Sequence, residues 1–453
     1  MEYIADLHLH SRYSRATSKD LNIEGLYKGA KMKGIDLIGT GDFTFPAYVK
    51  EMEAELEPAG GGLYSFKRKD EVNVNVSGGK TLDPKFVITT EIANIYKRHG
   101  KARRMHTCVW APGLDEVKEL NRALDKVGNI KSDGRPILGM DVADMAKLIW
   151  DISEDFIIIP AHAWTPWFAI FGSKSGFDSI EECFGDLSEK IYAIETGLSS
   201  DPPMNWRLSQ LDSISLVSNS DAHSLPNLAR EATVFELEEA SVKNIAQALD
   251  KRHPERSEGS LHKSTGRDLR NSSAAPWDDG RKNKIAYTIE FNPEEGKYHY
   301  DGHRDCVFVC SPKETKKLKG ICPKCKKPLI IGVDNRVEEL ADRDKPKKNG
   351  EYAYIVPLQE IIADAFGQNK NTKRVQETYE AMVKKIDNEF TILLKTPLEK
   401  IAAFGIPELA EGIRRVREGE IHVEPGYDGE YGVVSVFSPD ERISAKSKQK
   451  TLF

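Results

Sequence analysis

Short apolar runs recur along residues 1–250, each closing on polar or charged positions: "YIADLHLH", "IDLIGTGD", "KFVITTEI", "RMHTCVWA", "DFIIIPAHAW", "KIYAIETG" and "ISLVSNSDAHS". Runs this short, bounded by polar punctuation, predict strands. Between several of them lie helix-length stretches such as "NIEGLYKGAKMKG" and "LDEVKELNRALDKVG". Strands alternating with helices predict an α/β fold with parallel strands, most naturally a β/α barrel. In such folds chemistry collects at the carboxyl ends of the strands.

The pattern breaks at "HPERSEGSLHKSTGRDLRNSSAAPWDDGRKN", where only Leu261, Leu269 and Trp277 are large and apolar. Too little apolar surface is available there to offset chain entropy, so a disordered insertion or linker is expected. After it come a strand-like "KIAYTIEF", a cysteine-rich stretch, and helical patterns in "IIADAF", "RVQETYEAMVKKID" and "IPELAEGIRRVREG". The organisation expected is a catalytic barrel over 1–250, a linker over 251–283, a zinc-binding module over 284–350, a mainly helical region over 351–440 and a flexible tail over 441–453.

Composition alters this picture little. A chain of 453 residues exceeds one ordinary domain. A formal net charge of −6 excludes a protein held to nucleic acid by bulk charge, while leaving room for local basic patches. No run of 18 apolar residues occurs and the N-terminus carries no charged-then-apolar leader, so a cytoplasmic protein without a membrane partner is expected.

The chemistry is concentrated at the ends of the apolar runs. In "DLHLH", strand alternation sends Asp6, His8 and His10 to one face and Leu7 and Leu9 to the other. Further ligand-type residues close other runs: Asp42, Glu91, His106, His162, Asp221 and His223. A barrel would aim them into one mouth. Buried acids and imidazoles are costly there unless neutralised, and divalent cations neutralise them.

"DLHLH", "PAHAW" and "SDAHS" resemble the motifs of the PHP (polymerase and histidinol phosphatase) superfamily of metal-dependent phosphoesterases. The resemblance implies a distorted β/α barrel of the PHP type, with His8, His10, Glu91 and Asp221 around one metal. His106 and His162 would hold a second, with Glu91 bridging, while His223 and Asp42 would serve a third metal or support the ligands. Two departures, Arg15 in place of an Asp and Phe43 in place of a His, both fall around the third metal, and Arg15 is read instead as a phosphate contact. Two or three divalent cations are therefore implied, zinc or manganese, with magnesium a further option for hydrolysis.

"HRDCVFVCSPKETKKLKGICPKCKK" supplies C-x3-C and C-x2-C. In a chain without a secretion signal, such clustering predicts a structural zinc rather than disulfides. Cys306, Cys322 and Cys325 are the firmer ligands. Cys310 completes four cysteines, and His303 is the alternative fourth ligand. Residues 311–330 hold seven lysines against one glutamate, which suits a phosphate-contacting face that includes Lys316 and Lys317. Arg414 and Arg415, at the end of a predicted helix, suit the same role. The aromatic-rich "HAWTPWFAIFGSKSGF" after His162 offers Trp164 and Trp167 to stack on a base.

"ADLHLHSRYSRATSKDLNIEGL", "YHYDGHRDC", "CPKCKKPLIIGVDNRVEELADR" and "AEGIRRVREGEIHVEPGYDGEYG" together resemble the endonuclease Q family, across the whole chain apart from the insertion. That resemblance implies a DNA-repair endonuclease cutting 5′ of deaminated bases (uracil, hypoxanthine, xanthine) and of abasic sites. A poorly paired base is also the cheaper one to flip from the stack. The terminal "QKTLF" resembles the short Q-x-x-L-F peptide that docks repair proteins on the sliding clamp, with Gln449, Leu452 and Phe453 as the contacts. A monomer is expected. The rival readings are a PHP-type phosphatase of small molecules and a non-catalytic DNA- or clamp-binding scaffold.

Overall fold

The computed structural model describes residues 1–74, 76–77, 83–252, 282–438 and 441–443. Gln449, Leu452 and Phe453, and nearly all of the expected linker, lie outside the described residues. The strands are β1 Glu2–Asp6, β2 Leu37–Gly39, β3 Leu56–Gly60, β4 Leu63–Phe66, β5 Lys85–Arg98, β6 Lys101–Ala111, β7 Ile137–Leu138, β8 Ile157–Pro160, β9 Ala193–Glu195, β10 Ser215–Val217, β11 Ala232–Glu236, β12 Lys284–Glu290, β13 Asp301–His303, β14 Phe308–Cys310, β15 Tyr352–Tyr354, β16 His422–Glu424 and β17 Val433–Ser435.

Eleven of these form one sheet, ordered β15-β12-β11-β1-β2-β5-β4-β3, with β6 and β7 pairing with β5 and β8 pairing with β6. The β1–β2 and β2–β5 pairs are parallel, as the alternating pattern predicts. The β1–β11, β5–β6 and β6–β8 pairs are antiparallel, so the sheet is mixed. The reason is local at β5–β6. His99 and Gly100 both take positive φ, 51° and 75°, a two-residue turn that matches strand twist and folds the chain straight back.

Alternation along the strands divides their side chains between two apolar clusters. Leu37, Val87, Trp110, Ile157, Ile159, Val217 and Phe235 enter one, joined by Val242, Ile245 and Leu249 of helix Val242–Leu249. Their neighbours Ile38, Phe86, Ile88, Val109, Ile158 and Val234 enter the other, against the surrounding helices. This two-sided burial is why the strands read as continuous apolar runs. Hydrogen bonds from Ala163 N to Glu195 O, Thr196 N to Val217 O and Ser218 N to Thr233 Oγ1 link β8, β9, β10 and β11 in turn.

The segment after the expected linker joins the first sheet. β12 pairs antiparallel with β11, and β15 pairs with β12, so residues 284–290 and 352–354 complete the sheet of the N-terminal region. Between them, β13 and β14 form a hairpin whose small cluster contains Cys310, Cys322 and Leu329. Helices Leu358–Phe366, Lys373–Lys385 and Pro407–Glu418 bury Ile361, Ile362, Val375, Met382, Leu409 and Ile413 in the larger cluster. Among the described residues no helix is long and apolar enough to cross a membrane.

Candidate metal centre

Glu91 stands at the middle of β5 with Cys108 opposite it on β6, and His106 is two residues from Cys108 on the same face. Its carboxylate is fully buried. Oε1 lies 2.6 Å from His106 Nδ1 and 3.2 Å from His162 Nε2. Oε2 lies 3.4 Å from His10 Nε2 and 2.9 Å from Arg135 Nη1. His8 Nε2 is 3.7 Å from Oε1. One carboxylate thus touches imidazoles brought in by β1, β6 and β8.

Asp221 completes the first group, with Oδ1 3.1 Å from His10 Nε2 and 3.7 Å from His8 Nε2. His223 approaches Asp221 through Nδ1, 3.0 Å from the backbone oxygen, and its ring centroid is 4.5 Å from that of His10. The donor atoms form compact sets: His8, His10 and Glu91; Glu91, His106 and His162; His10, Asp221 and His223. All seven expected ligands therefore converge. Asp42 takes a different position. It accepts from His10 Nδ1 at 3.1 Å, Ser11 N at 2.7 Å, Ser11 Oγ at 2.6 Å and Ser14 Oγ at 2.9 Å, and so orients His10 from behind.

Three residues of the centre, Asp42, His162 and Asp221, have positive φ, at 50°, 29° and 45°. Non-glycine residues avoid that region unless the surroundings enforce it, and enforced backbone of this kind gathers at functional sites. The enforcement at Asp221 is visible. Buried Asp6 accepts the N–H groups of Ser220 and Ala229, at 3.0 Å and 2.8 Å, and clamps the turn that carries Asp221.

The electrostatics suit cations. Burial pushes the Glu91 carboxyl up, but the charges of His106 and Arg135 with hydrogen bonds from His10 and His106 outweigh it and hold it well below the usual range. Asp221 is likewise held low, because its bond from His10 and the charges of His8 and His10 outweigh burial. Burial lowers His106 to about 4, leaving a neutral imidazole at neutral pH, whereas at His8 and His10 the facing carboxylates outweigh burial and hold both rings well above the usual range, with protons that a bound cation would displace. Ionised carboxylates and neutral imidazoles are the states that ligate metal. His8 Nε2, buried and without a hydrogen-bond partner, faces the same space. The residues present fit divalent cations, with Glu91 placed to be shared.

Sequence reasoning missed two residues here. Glu195, the last residue of β9, accepts from His8 Nδ1 at 2.9 Å, from His162 N at 2.8 Å and from Asn219 Nδ2 at 2.9 Å. It closes "KIYAIETG", so the strand-end rule that singled out Glu91 applies to it equally. Arg135 lies in the turn "SDGRPI", which carries no periodic signal.

The residues expected to contact DNA differ in their surroundings. Trp164 is buried, donates from Nε1 to Asn205 Oδ1 at 2.8 Å and packs 4.7 Å from Phe171, so it serves the core rather than a ligand. Trp167 is half-buried beside Tyr298, and Phe168 lies 4.4 Å from His106 at the edge of the centre. Arg414 and Arg415 are engaged by acids of their own surroundings: Arg414 by Glu411, Glu418 and Glu420, Arg415 by Glu411 and Glu441. Those carboxylates cancel the charge that a phosphate contact would need. Lys316 and Lys317 remain exposed, Lys316 with only a 3.9 Å approach to Glu338. Arg15 is 84% exposed, its Nε 3.2 Å from Asp133.

At the second candidate centre, His303, Cys306, Cys322 and Cys325 bring their donor atoms together. Cys310 stays out of the group, its Sγ 3.2 Å from Thr315 Oγ1. Among the two fourth ligands left open by the sequence, the geometry favours His303.

Comparisons with known proteins agree with this architecture. Residues 357–420 match the family model described as the MJ0043 C-terminal domain. The Methanocaldococcus jannaschii protein MJ0043, itself uncharacterized, is 30% identical over 289 residues; the match spans 62% of this chain and 32% of that relative. The chain thus covers about a third of that curated relative's length. The uncharacterized YqxK of Bacillus subtilis is 26% identical over 441 residues, covering 95% and 98% of the two chains. Among solved structures, the lesion-specific endonuclease PfuEndoQ of Pyrococcus furiosus superposes with a TM-score of 0.78 at 29% identity, over 99% of this chain and 98% of that one. An endonuclease Q bound to a 27-mer duplex with an abasic lesion at the active site gives the same TM-score at 28% identity, over 97% and 98%.

Proposed function

We propose that this chain, a member of the endonuclease Q family, is a metal-dependent, lesion-specific DNA endonuclease. It hydrolyses the phosphodiester 5′ of deaminated bases (uracil, hypoxanthine, xanthine) and of abasic sites. The observation that carries the reading is Glu91, one buried carboxylate within reach of His8, His10, His106 and His162. The similar endonuclease Q holding an abasic duplex at its active site supports the choice of substrate.

In this reading the scaffold is a distorted, PHP-type β/α barrel followed by a zinc-binding module and a mainly helical region. His8, His10, Glu91 and Asp221 hold one cation, Glu91, His106 and His162 a second, with zinc or manganese the leading candidates. Divalent cations bound there supply positive charge for the phosphoryl oxygens and acidify the attacking water. The chain does the rest. Glu195 and Asp42 fix the rings of His8 and His10, and the 166–168 loop shields the centre on the His106 side. His223, half-exposed beside Asp221, stands where a proton is exchanged with solvent. The structural zinc is held by His303, Cys306, Cys322 and Cys325. Lys316, Lys317 and Arg15 contact the DNA backbone. The protein works as a cytoplasmic monomer and docks on a sliding clamp through Gln449, Leu452 and Phe453.

The test incubates labelled duplex carrying one uracil, hypoxanthine or abasic site with the protein, with and without chelator, beside a chromogenic phosphate monoester. A chelator-sensitive nick at the lesion supports the proposal. Phosphate release without nicking identifies a small-molecule phosphatase, and retention of DNA without cutting identifies a scaffold.

A further inference from the structure

Arg135 sits inside the metal centre, and nothing in the scheme above uses it. Its Nη1 is 2.9 Å from Glu91 Oε2, and its side chain is 31% exposed while Glu91 is wholly enclosed. The guanidinium therefore lies between the buried carboxylate and the mouth of the site.

The placement is built rather than incidental. Gly134 N donates to Tyr13 O at 3.0 Å, Thr44 Oγ1 donates to Gly134 O at 2.9 Å, and Ala93 N on β5 donates to Pro136 O at 3.0 Å. A Cβ on Gly134 would come within 2.4 Å of Asp42 Oδ2 and 2.5 Å of Ser14 Oγ, so only glycine lets the turn approach this closely. The turn is thus pinned on one side to β5, two residues from Glu91, and on the other to the residues that orient His10. Asp133, at its start, also holds Arg15 at the rim, its carboxylate 3.2 Å from Arg15 Nε.

A merely structural partner for Glu91 is not needed there. The carboxylate already has His106, His162 and His10 within 3.4 Å. Once its oxygens are shared with divalent cations, the guanidinium is repelled and must find another anion. The phosphodiester is the anion that then enters the site. A planar fork of donors matches two oxygens of a phosphate, and it binds more tightly as hydrolysis adds negative charge to them.

Resting on the endonuclease reading, we infer that Arg135 is a catalytic residue that exchanges Glu91 for a non-bridging oxygen of the scissile phosphate. The reaction balances without it: water gives up a proton as its oxygen bonds to phosphorus, the phosphorus–oxygen bond to the deoxyribose breaks and that oxygen takes up a proton, and Arg135 keeps its own proton throughout.

The test begins with wild-type protein on an abasic duplex with manganese, since failure to nick there overturns the endonuclease reading itself. With wild type active, Arg135→Gln and Arg135→Lys are compared on the same duplex. Two further readouts are manganese affinity by titration calorimetry and inorganic-phosphate affinity of the manganese-loaded protein. Arg135→Gln is expected to lower kcat by about 100-fold or more. It should bind manganese at least as tightly as wild type, because a competing cation has gone, while phosphate affinity falls. Arg135→Lys keeps a charge but not the fork and should lie between the two. Wild-type nicking and phosphate binding by either variant would overturn the inference. So would a loss of activity accounted for by weakened manganese binding.

Discussion

His106 Nδ1 and Glu91 Oε1 meet at 2.6 Å across the β5–β6 hairpin, the closest approach between an imidazole and a carboxylate in the centre. Both are side chains of long antiparallel strands rather than of loops. Two donor groups of the centre are thereby fixed by sheet register, Glu91 being the one placed to be shared, and turns supply Asp42, His162 and Asp221 around them.

Glu195 is the support whose loss should be felt most at a distance from the reaction. Outer partners of metal-bound histidines typically contribute ~10–100-fold in affinity or activity, and Glu195 braces both His8 and the His162 backbone. Glu195→Gln is expected to weaken manganese binding by a factor in that range, measured by titration calorimetry, with the fold retained by circular dichroism.

The proposed zinc ligands can be distinguished by metal content. His303→Ala should release the structural zinc or raise its exchange rate at least tenfold. Cys310→Ser should retain one zinc equivalent, since its Sγ faces Thr315 rather than the three other thiols. Elemental analysis of the two purified variants checks this.

A buried acid pair makes stability depend on pH. Burial, with Asp201 nearby, pushes Glu290 up to about 8. Glu231 is pushed well up by burial, then by Glu290 and Glu195, with Arg230 only partly offsetting. Both raised values mean that the folded state holds protons the unfolded state has released. Stability is fully present at acid pH and falls as pH rises from the ordinary glutamate value through about 8. Melting temperature should therefore decline across that window in wild type, and less steeply in Glu290→Gln.

DNA affinity should separate free from engaged cations. Replacing Lys316 and Lys317 together by alanine is expected to reduce the salt slope of binding by about two, roughly one per lost phosphate contact. Arg414→Ala should leave that slope unchanged, because three carboxylates already surround the guanidinium. Fluorescence anisotropy over a series of salt concentrations reads both.

Much of the centre was legible because the ligands close apolar runs, and His8, His10, His162, Asp221 and His223 lie at such ends. What escaped has physical reasons. The mixed sheet depends on a two-residue turn at His99 and Gly100 that local pattern does not distinguish from other polar breaks. Residues 284–290 and 352–354 rejoin the first sheet because strand pairing ignores what separates the partners in sequence. Trp164 reads as an exposed aromatic beside a histidine, but the turn buries it against Phe171. The arginines of helix Pro407–Glu418 read as free charge, yet Glu411, Glu418, Glu420 and Glu441 reach them from the same helix turns and from beyond it.

The most direct test of a shared carboxylate is the metal content of manganese-saturated protein, wild type against Glu91→Ala, measured after gel filtration. Two manganese equivalents in wild type, with both lost and nicking abolished in the variant, are predicted. A variant that keeps both ions, or a wild type that nicks lesion DNA at full rate without any, would contradict the account.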